Sequence, residues 1–476
     1  MKDLTIQFQD ADEKHLYEQI YEYIRDEIKE GKLLAGEKLP STRSLAEYLQ
    51  VSRSTVELAY AQLLSEGYIE SVPYKGYFIC RVEELYRFDE ELSVSLQEPE
   101  KKQKKGAERY KIDFSPNAVD MSAFPFETWR KITKEILNDD KKELYMLGEP
   151  RGDEKLRHTI CRYLHASRGV NAEPEQIIIG AGNDYLLMLL QYILGRDICV
   201  AFESFSYPRA WKIFSSFAEK MVTVGMDENG ICVNELENTG ADVAYVMPSH
   251  QHPTGIVMPI GRRMELLNWA ASGENRYLIE DDYDSEFRYR GKPVPSLQAS
   301  DKAGKVIYIG TFSKSLAPAI RVSYMVLPPA LLEQYEKNCS FFSSTVSRID
   351  QSILNEFITC GAFERHLNKM RKIYKEKHDL LLDELKMFQD QFMISGEYAG
   401  LHILLTAKKQ CEEQKLINAA AEAGVKIYGI KDSRLDQSAE RNATILLGYA
   451  GLSNKQIREG VDILKKVFEI AYDVAE

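Results

Sequence analysis

The chain has 476 residues, a net charge of −12 and 44% hydrophobic residues, enough for two or three domains with a large buried core. No apolar run approaches the roughly 20 residues that span a bilayer, and Met1-Lys2-Asp3 lacks a signal peptide's basic and apolar regions, so a cytoplasmic protein without membrane partners is expected. Seven scattered cysteines, none at metal-ligand spacing, exclude a zinc site and predict reduced, mostly core thiols.

The first periodic segment starts near residue 12. Leu16, Ile20, Tyr23, Ile24 and Ile28 recur at helical spacing, and Gly31 suits the left-handed conformation that ends a helix. Ser41 is placed to cap a short helix with Leu45, Ala46 and Leu49 inward, and Gln50-Val51 predicts a tight turn. Ser52 caps a third helix, with Val56, Tyr60, Leu63 and Leu64 inward until Gly67 stops it. Tyr68-Ile69-Glu70 and Gly76-Tyr77-Phe78-Ile79 alternate around Pro73-Tyr74-Lys75 as a two-stranded wing does. A winged helix-turn-helix over residues 12–80 would offer Arg53, Ser54 and Thr55, at the start of its third helix, to a major groove. Nine Lys/Arg stand against fourteen Asp/Glu from Met1 to Cys80, so a local basic surface of Arg43, Arg53 and Lys75 must carry any DNA contact.

The motifs Leu39-Pro40-Ser41-Thr42-Arg43-Ser44-Leu45-Ala46, Val51-Ser52-Arg53-Ser54-Thr55-Val56 and Leu64-Ser65-Glu66-Gly67-Tyr68, with the wing glycine Gly76, resemble the winged-helix domain of GntR-type bacterial transcription factors. The resemblance implies contact with a double-stranded operator through Ser41, Arg43, Ser52, Arg53, Ser54, Thr55, Lys75 and Gly76. Glu57 departs from it, standing where many members carry a basic residue.

Residues 81–111 read as a flexible charged linker, since Glu98–Gly106 is rich in charge and almost free of apolar residues. Over residues 112–330, apolar runs such as Ile177-Ile178-Ile179, Val243–Val246, Tyr277-Leu278-Ile279 and Val306–Ile309 alternate with helical patterns, predicting a mainly parallel α/β sheet. From 331 to 476, helices and shorter strands such as His402–Leu405 and Thr444–Leu447 predict a smaller α+β C-terminal subdomain.

The chemistry concentrates at predicted strand ends. Lys314, following a strand and set among Thr311, Ser313 and Ser315, is placed to hold an aldehyde as an imine. Asp281 and Tyr283 close another strand with a carboxylate for a pyridine nitrogen and a phenol for a phenolic oxygen. Gly180-Ala181-Gly182-Asn183 links a strand to a helix whose amides suit a phosphate, and Arg321 can neutralise that dianion. These are the requirements of pyridoxal 5'-phosphate (PLP).

Residues 112–470 resemble fold-type I PLP-dependent aminotransferases, with Gly152, Leu156-Arg157, Gly180–Gly182, Pro253-Thr254-Gly255, Asp281 with Tyr283, and Ser313-Lys314 with Arg321 in family order. By that resemblance Lys314 forms the Schiff base, Tyr207 stacks on the ring, Asp281 pairs with its nitrogen and Tyr283 contacts the phenolic oxygen. Thr311, Ser313 and Arg321 would bind phosphate, with Gly182 and Asn183 completing the cofactor set. A GntR-like winged helix fused to such a domain resembles the MocR subfamily. Glu280–Phe287, Gly310–Leu316 and Pro248-Ser249-His250-Gln251 look like its GABA-responsive members. The likeness implies a head-to-tail homodimer and an amino effector, or PLP itself, sensed through an aldimine at Lys314, with Tyr207, Arg209 and Arg434 holding the effector. His252 stands where aminotransferases usually offer asparagine, and Lys431 competes with Arg434 because that segment is two residues out of step. Two other readings stay open: an active aminotransferase with a vestigial or oligomerising N-terminal domain, and a constitutive DNA-binding protein whose PLP is structural.

Overall fold

The computed structural model describes residues 6, 14–81, 110–138, 142–289, 294–436 and 442–473, so nearly all of the expected linker lies outside the described residues. The chain divides into two compact units, Met1–Glu108 and Arg109–Glu476.

In the first unit, helices α1 (Leu16–Lys29), α2 (Thr42–Leu49) and α3 (Arg53–Ser65) close on Ile20, Ile24, Leu45, Val56, Tyr60 and Leu63. Both expected caps form: Ser41 Oγ accepts from the Ser44 N–H and Ser52 Oγ from the Thr55 N–H, each at 3.1 Å. Each cap contributes about 1 kcal/mol. Between the helices Gln50 adopts a left-handed φ of 54°, which makes the turn of the helix-turn-helix sharp. The wing pairs Ile69–Val72 with Gly76–Ile79 antiparallel, and Lys38 bridges to Phe78.

The second unit is built on a seven-stranded sheet in the order Ile177–Gly180, Ser323–Val326, Val306–Thr311, Tyr277–Asp282, Val243–Val246, Cys199–Glu203, Lys220–Val224. All pairings are parallel except those of Ser323–Val326, which runs antiparallel to both neighbours. The central strands are buried along their whole length, as helices covering both faces require. Two strands escaped the apolar pattern. Lys220–Val224 is an edge strand whose side chains are mostly not buried, and Ser323–Val326 opens on a polar residue.

A four-stranded antiparallel sheet, Phe392–Ser395, His402–Ala407, Thr444–Gly448 and Tyr428–Gly429, forms the smaller C-terminal layer. Packing crosses the expected boundary at residue 330. Leu331, Tyr335, Ile353 and Phe357 sit in the large-sheet cores, whereas Ile112 and Phe114 sit in the C-terminal core, where Ile112–Asp113 pairs with Val425–Lys426. The 24-residue helix Ala362–Leu385 spans both, with Phe363 and Leu367 in a large-sheet core and Tyr374 and Leu381 in the C-terminal one. All seven cysteines are free, but the expectation of mostly core thiols is corrected: only Cys199 and Cys339 are buried, and Cys360 is exposed. Among the described residues no helix is long and apolar enough to cross a membrane.

Candidate functional site

Strand ends bring the predicted cofactor residues to one edge of the large sheet. Ile177–Gly180 runs into the turn that starts helix Asn183–Leu194, Cys199–Glu203 leads to Tyr207, and Val243–Val246 leads to His250 and His252. Tyr277–Asp282 carries Asp281 near its end, and Val306–Thr311 leads to Lys314. The carboxyl edge is where such sheets bind ligands.

Lys314 Nζ donates to the Pro116 carbonyl at 2.9 Å and to Asn117 Oδ1 at 3.0 Å. Burial pushes its amine down to about 8, against a pull upward from Asp284, so near neutrality an appreciable fraction is an uncharged nucleophile. Asp281 accepts from Asn183 Nδ2 at 3.3 Å and from the Tyr245 hydroxyl. Its pKa is raised to about 7 by burial, which a cation beside it would reverse. Tyr283 Oη lies 3.0 Å from His250 Nδ1, and burial with the surrounding carboxylates keeps its phenol protonated.

The phosphate candidates form a cradle. Gly182 takes a φ of +94°, and a Cβ there would fall 2.5 Å from Arg321 Nη2. Arg321, itself left-handed at φ 53°, reaches the Ala181 carbonyl at 3.3 Å and Asp184 at 3.5 Å. Its charge therefore lies across the start of helix Asn183–Leu194, where peptide N–H groups favour an anion. The Thr311 hydroxyl accepts from the Ser313 N–H at 3.1 Å and pairs with Ser323 at 2.9 Å.

The three effector candidates are less convergent. Tyr207 packs on the sheet core, its ring perpendicular to His252 at 6.3 Å. Arg209 is exposed and 3.7 Å from Asp184. Arg434 bonds Asp436 at 2.8 Å and covers the Phe205 ring, although its backbone bridges to Phe205, two residues before Tyr207. Lys431 and Arg434 line a separate 520 Å³ depression with Phe205 and Glu413.

These residues fit PLP: a buried amine, a buried carboxylate awaiting a cation, an unpartnered buried Asn183 Oδ1, and a glycine cradle under a guanidinium. Sequence reasoning missed Tyr245, hidden in an apolar strand run, and Pro116-Asn117, which carry no motif. His250 and Asp284 stand within recognisable motifs, but no local signal assigns either a role.

In the winged helix, Arg43 and Arg53 border one 440 Å³ depression between α2 and α3. Each is held by a carboxylate one turn on, Arg43 by Glu47 at 3.1 Å and Arg53 by Glu57 at 2.7 Å. Ser52 Oγ also bonds Ser54 and Thr55, so Ser41 and Ser52 serve first as caps. Lys75 and Gly76 form the wing tip beside fully exposed Tyr74, Gly76 at φ +109°.

Residues 16–79 match the model of bacterial regulatory proteins of the gntR family, and residues 109–464 match aminotransferase class I and II. The chain is 32% identical to the probable rhizopine catabolism regulatory protein MocR of Rhizobium meliloti, over 95% of this chain and 94% of that one. The chain belongs to the MocR-type regulators. This regulator is also 42% identical to the HTH-type transcriptional regulator YdeL of Bacillus subtilis, over 96% and 97% of the two chains. Kynurenine aminotransferase of Pyrococcus horikoshii superimposes with a TM-score of 0.67 at 25% identity, covering 75% of this chain and 91% of that one. The MocR-type regulator is thus a GntR helix-turn-helix joined to an aminotransferase-like fold, and its cofactor is PLP.

Buried acids give the cofactor-free regulator an inverted pH profile. Burial raises Glu203 to about 8 and Glu280, Asp281 and Glu286 to about 7. A raised folded pKa gives stability that is present below the unfolded value and lost as pH rises through the folded one, here about 7 to 8. His252, His366 and His402, all lowered by burial, act only as pH falls below 6.5. Thermal unfolding of the apo protein should therefore move several degrees upward, roughly 2–4 °C per kcal/mol, as pH falls from 8 to 6.5. A melting temperature that falls over that interval would contradict the assignment of these acids as protonated.

Proposed function

We propose that this MocR-type regulator senses a small amino compound at Lys314 and reports it through its winged helix. The observation that carries this reading is the meeting of Lys314, its amine lowered to about 8, with Asp281 and Tyr283 at one strand edge. When bound, the cofactor supplies an aldehyde that condenses reversibly with primary amines. Lys314 would provide the resident amine, and Asp281 would balance charge at the pyridine nitrogen. Tyr283 would donate to the phenolic oxygen, while Tyr207 would cover the ring. Gly182, Asn183, Thr311, Ser313 and Arg321 would complete the cofactor set, with the phosphate held by Thr311, Ser313 and Arg321. An effector amine would compete with Lys314 for that aldehyde, and Arg209 and Arg434 are the cations that would be available to its carboxylate. A GABA-like compound, with an amine at one end and a carboxylate at the other, carries both groups that this reading calls for.

Exposed Tyr145, Met146 and Leu147, at 71%, 67% and 91%, suit a head-to-tail homodimer that covers them. Substituting His252 for an amide at the phenolic side suits a site that binds amines more than one that turns them over. The test is a visible spectrum titrated with GABA and other primary amines, in parallel with binding to the DNA upstream of the protein's own coding sequence. One amine should shift the band and the DNA complex together without accumulating product; sustained product formation would make the protein an aminotransferase instead.

A further inference from the structure

Behind Tyr283 lies a buried polar pair that the cofactor reading does not use. His250 and Asp284 are 2% and 3% exposed. His250 Nδ1 lies 2.9 Å and 3.0 Å from the two oxygens of Asp284, and 3.0 Å from Tyr283 Oη. Nε2 of the same ring is buried with no partner among the described residues, so the imidazole is held through Nδ1 alone. Room for it is made by Gly400, φ +78°, where a Cβ would fall 1.8 Å from His250 Cε1.

We propose that His250 and Asp284 are positioning residues that fix the direction of the Tyr283 hydroxyl proton, making that phenol an obligatory donor into the cleft beside Lys314. Both oxygens of Asp284 lie within hydrogen-bond distance of Nδ1, the arrangement of an Nδ1–H donating to a carboxylate. An Nδ1 that carries hydrogen has no lone pair left, so Tyr283 Oη, 3.0 Å away, cannot donate to it. Its own hydrogen is thereby turned away from Nδ1, free to point into the cleft. The phenol keeps this proton, because burial and the carboxylates of Asp284, Asp281 and Asp282 hold its pKa well above 10. The charged and titratable groups facing His250 are Asp284, Tyr283, His252, His402 and Lys314, and His252 and His402 are held neutral by burial. This arrangement matters only if Tyr283 faces the phenolic oxygen, so it rests on the proposed cofactor site.

A fixed donor to a phenolate favours the unprotonated lysine-linked imine and lowers the pH at which its visible band titrates. Removing the donor should raise that midpoint. His250→Gln moves the side-chain N–H to the Nε2 side, and His250→Asn keeps one near Nδ1; both are polar and no larger than histidine. In PLP-loaded protein, H250Q should raise the midpoint by about one pH unit, a tenfold change. H250N should stay within a few tenths, and the H250Q shift should vanish in a Tyr283→Phe background, as residues acting through one another require. An H250Q midpoint equal to wild type, or a shift that persists in Y283F, overturns the positioning role. A band absent from wild type, or unmoved in Y283F alone, instead overturns the cofactor reading beneath it.

Discussion

Lys314→Ala is expected to abolish the visible band that PLP forms with the wild-type protein, and with it any response of DNA binding to an added amine. Among the described residues the amine at this position is a buried lysine nitrogen on the strand edge that carries Asp281 and Tyr283, and its lowered pKa makes it reactive near neutral pH. Alanine leaves the phosphate cradle of Gly182 and Arg321 in place. PLP is therefore expected to associate without the imine band, while affinity for the operator stays within about threefold, roughly 0.6 kcal/mol. In the wild type, capture of added PLP should accelerate as pH rises through about 8, because the neutral amine is the nucleophile. A variant that keeps amine-dependent expression in a reporter strain would sink the sensor reading.

Arg53→Ala is the second large effect. Arg53 opens α3 at the end presented for insertion, and a bidentate contact from arginine to a base is worth about 1–3 kcal/mol, or roughly 5- to 150-fold in affinity. Its guanidinium is held at 2.7 Å by Glu57 on the exposed face, so part of its charge is answered before DNA arrives. Glu57→Gln should consequently tighten operator binding a few-fold while Arg53→Ala weakens it, and neither should alter the PLP spectrum. Mobility-shift titrations at two salt concentrations separate the two. Unchanged affinity in Arg53→Ala would move the DNA contact elsewhere on the winged helix.

Much of this was readable from the residues. Capping serines, glycine stops and alternating wing residues are local signals, and α1 to α3 with the wing formed close to where they were expected. Strand-end motifs placed Lys314, Asp281, Tyr283 and the Gly182 turn on one edge because parallel strands carry their chemistry at their carboxyl ends. Long-range partners left no such trace. Pro116 and Asn117 meet Lys314 across nearly 200 residues, and nothing in their types announces it. Tyr245 reads as an apolar strand residue, yet its hydroxyl is spent on Asp281. Arg434 and Arg209 were named from pattern alone, and each has a carboxylate partner of its own, Asp436 and Asp184.

The contact between Lys314 and Pro116-Asn117 has a mechanical meaning. Ile112 and Phe114, just before those acceptors, are rooted in the C-terminal core. The Lys314 nitrogen is thus tied to a segment anchored in the C-terminal core rather than in the large-sheet cores. A lysine engaged in covalent bonding has fewer hydrogens to offer there; a lysine set free has three. Release of that nitrogen would loosen residues 112–117 where they pass from the C-terminal core to the edge of the large sheet.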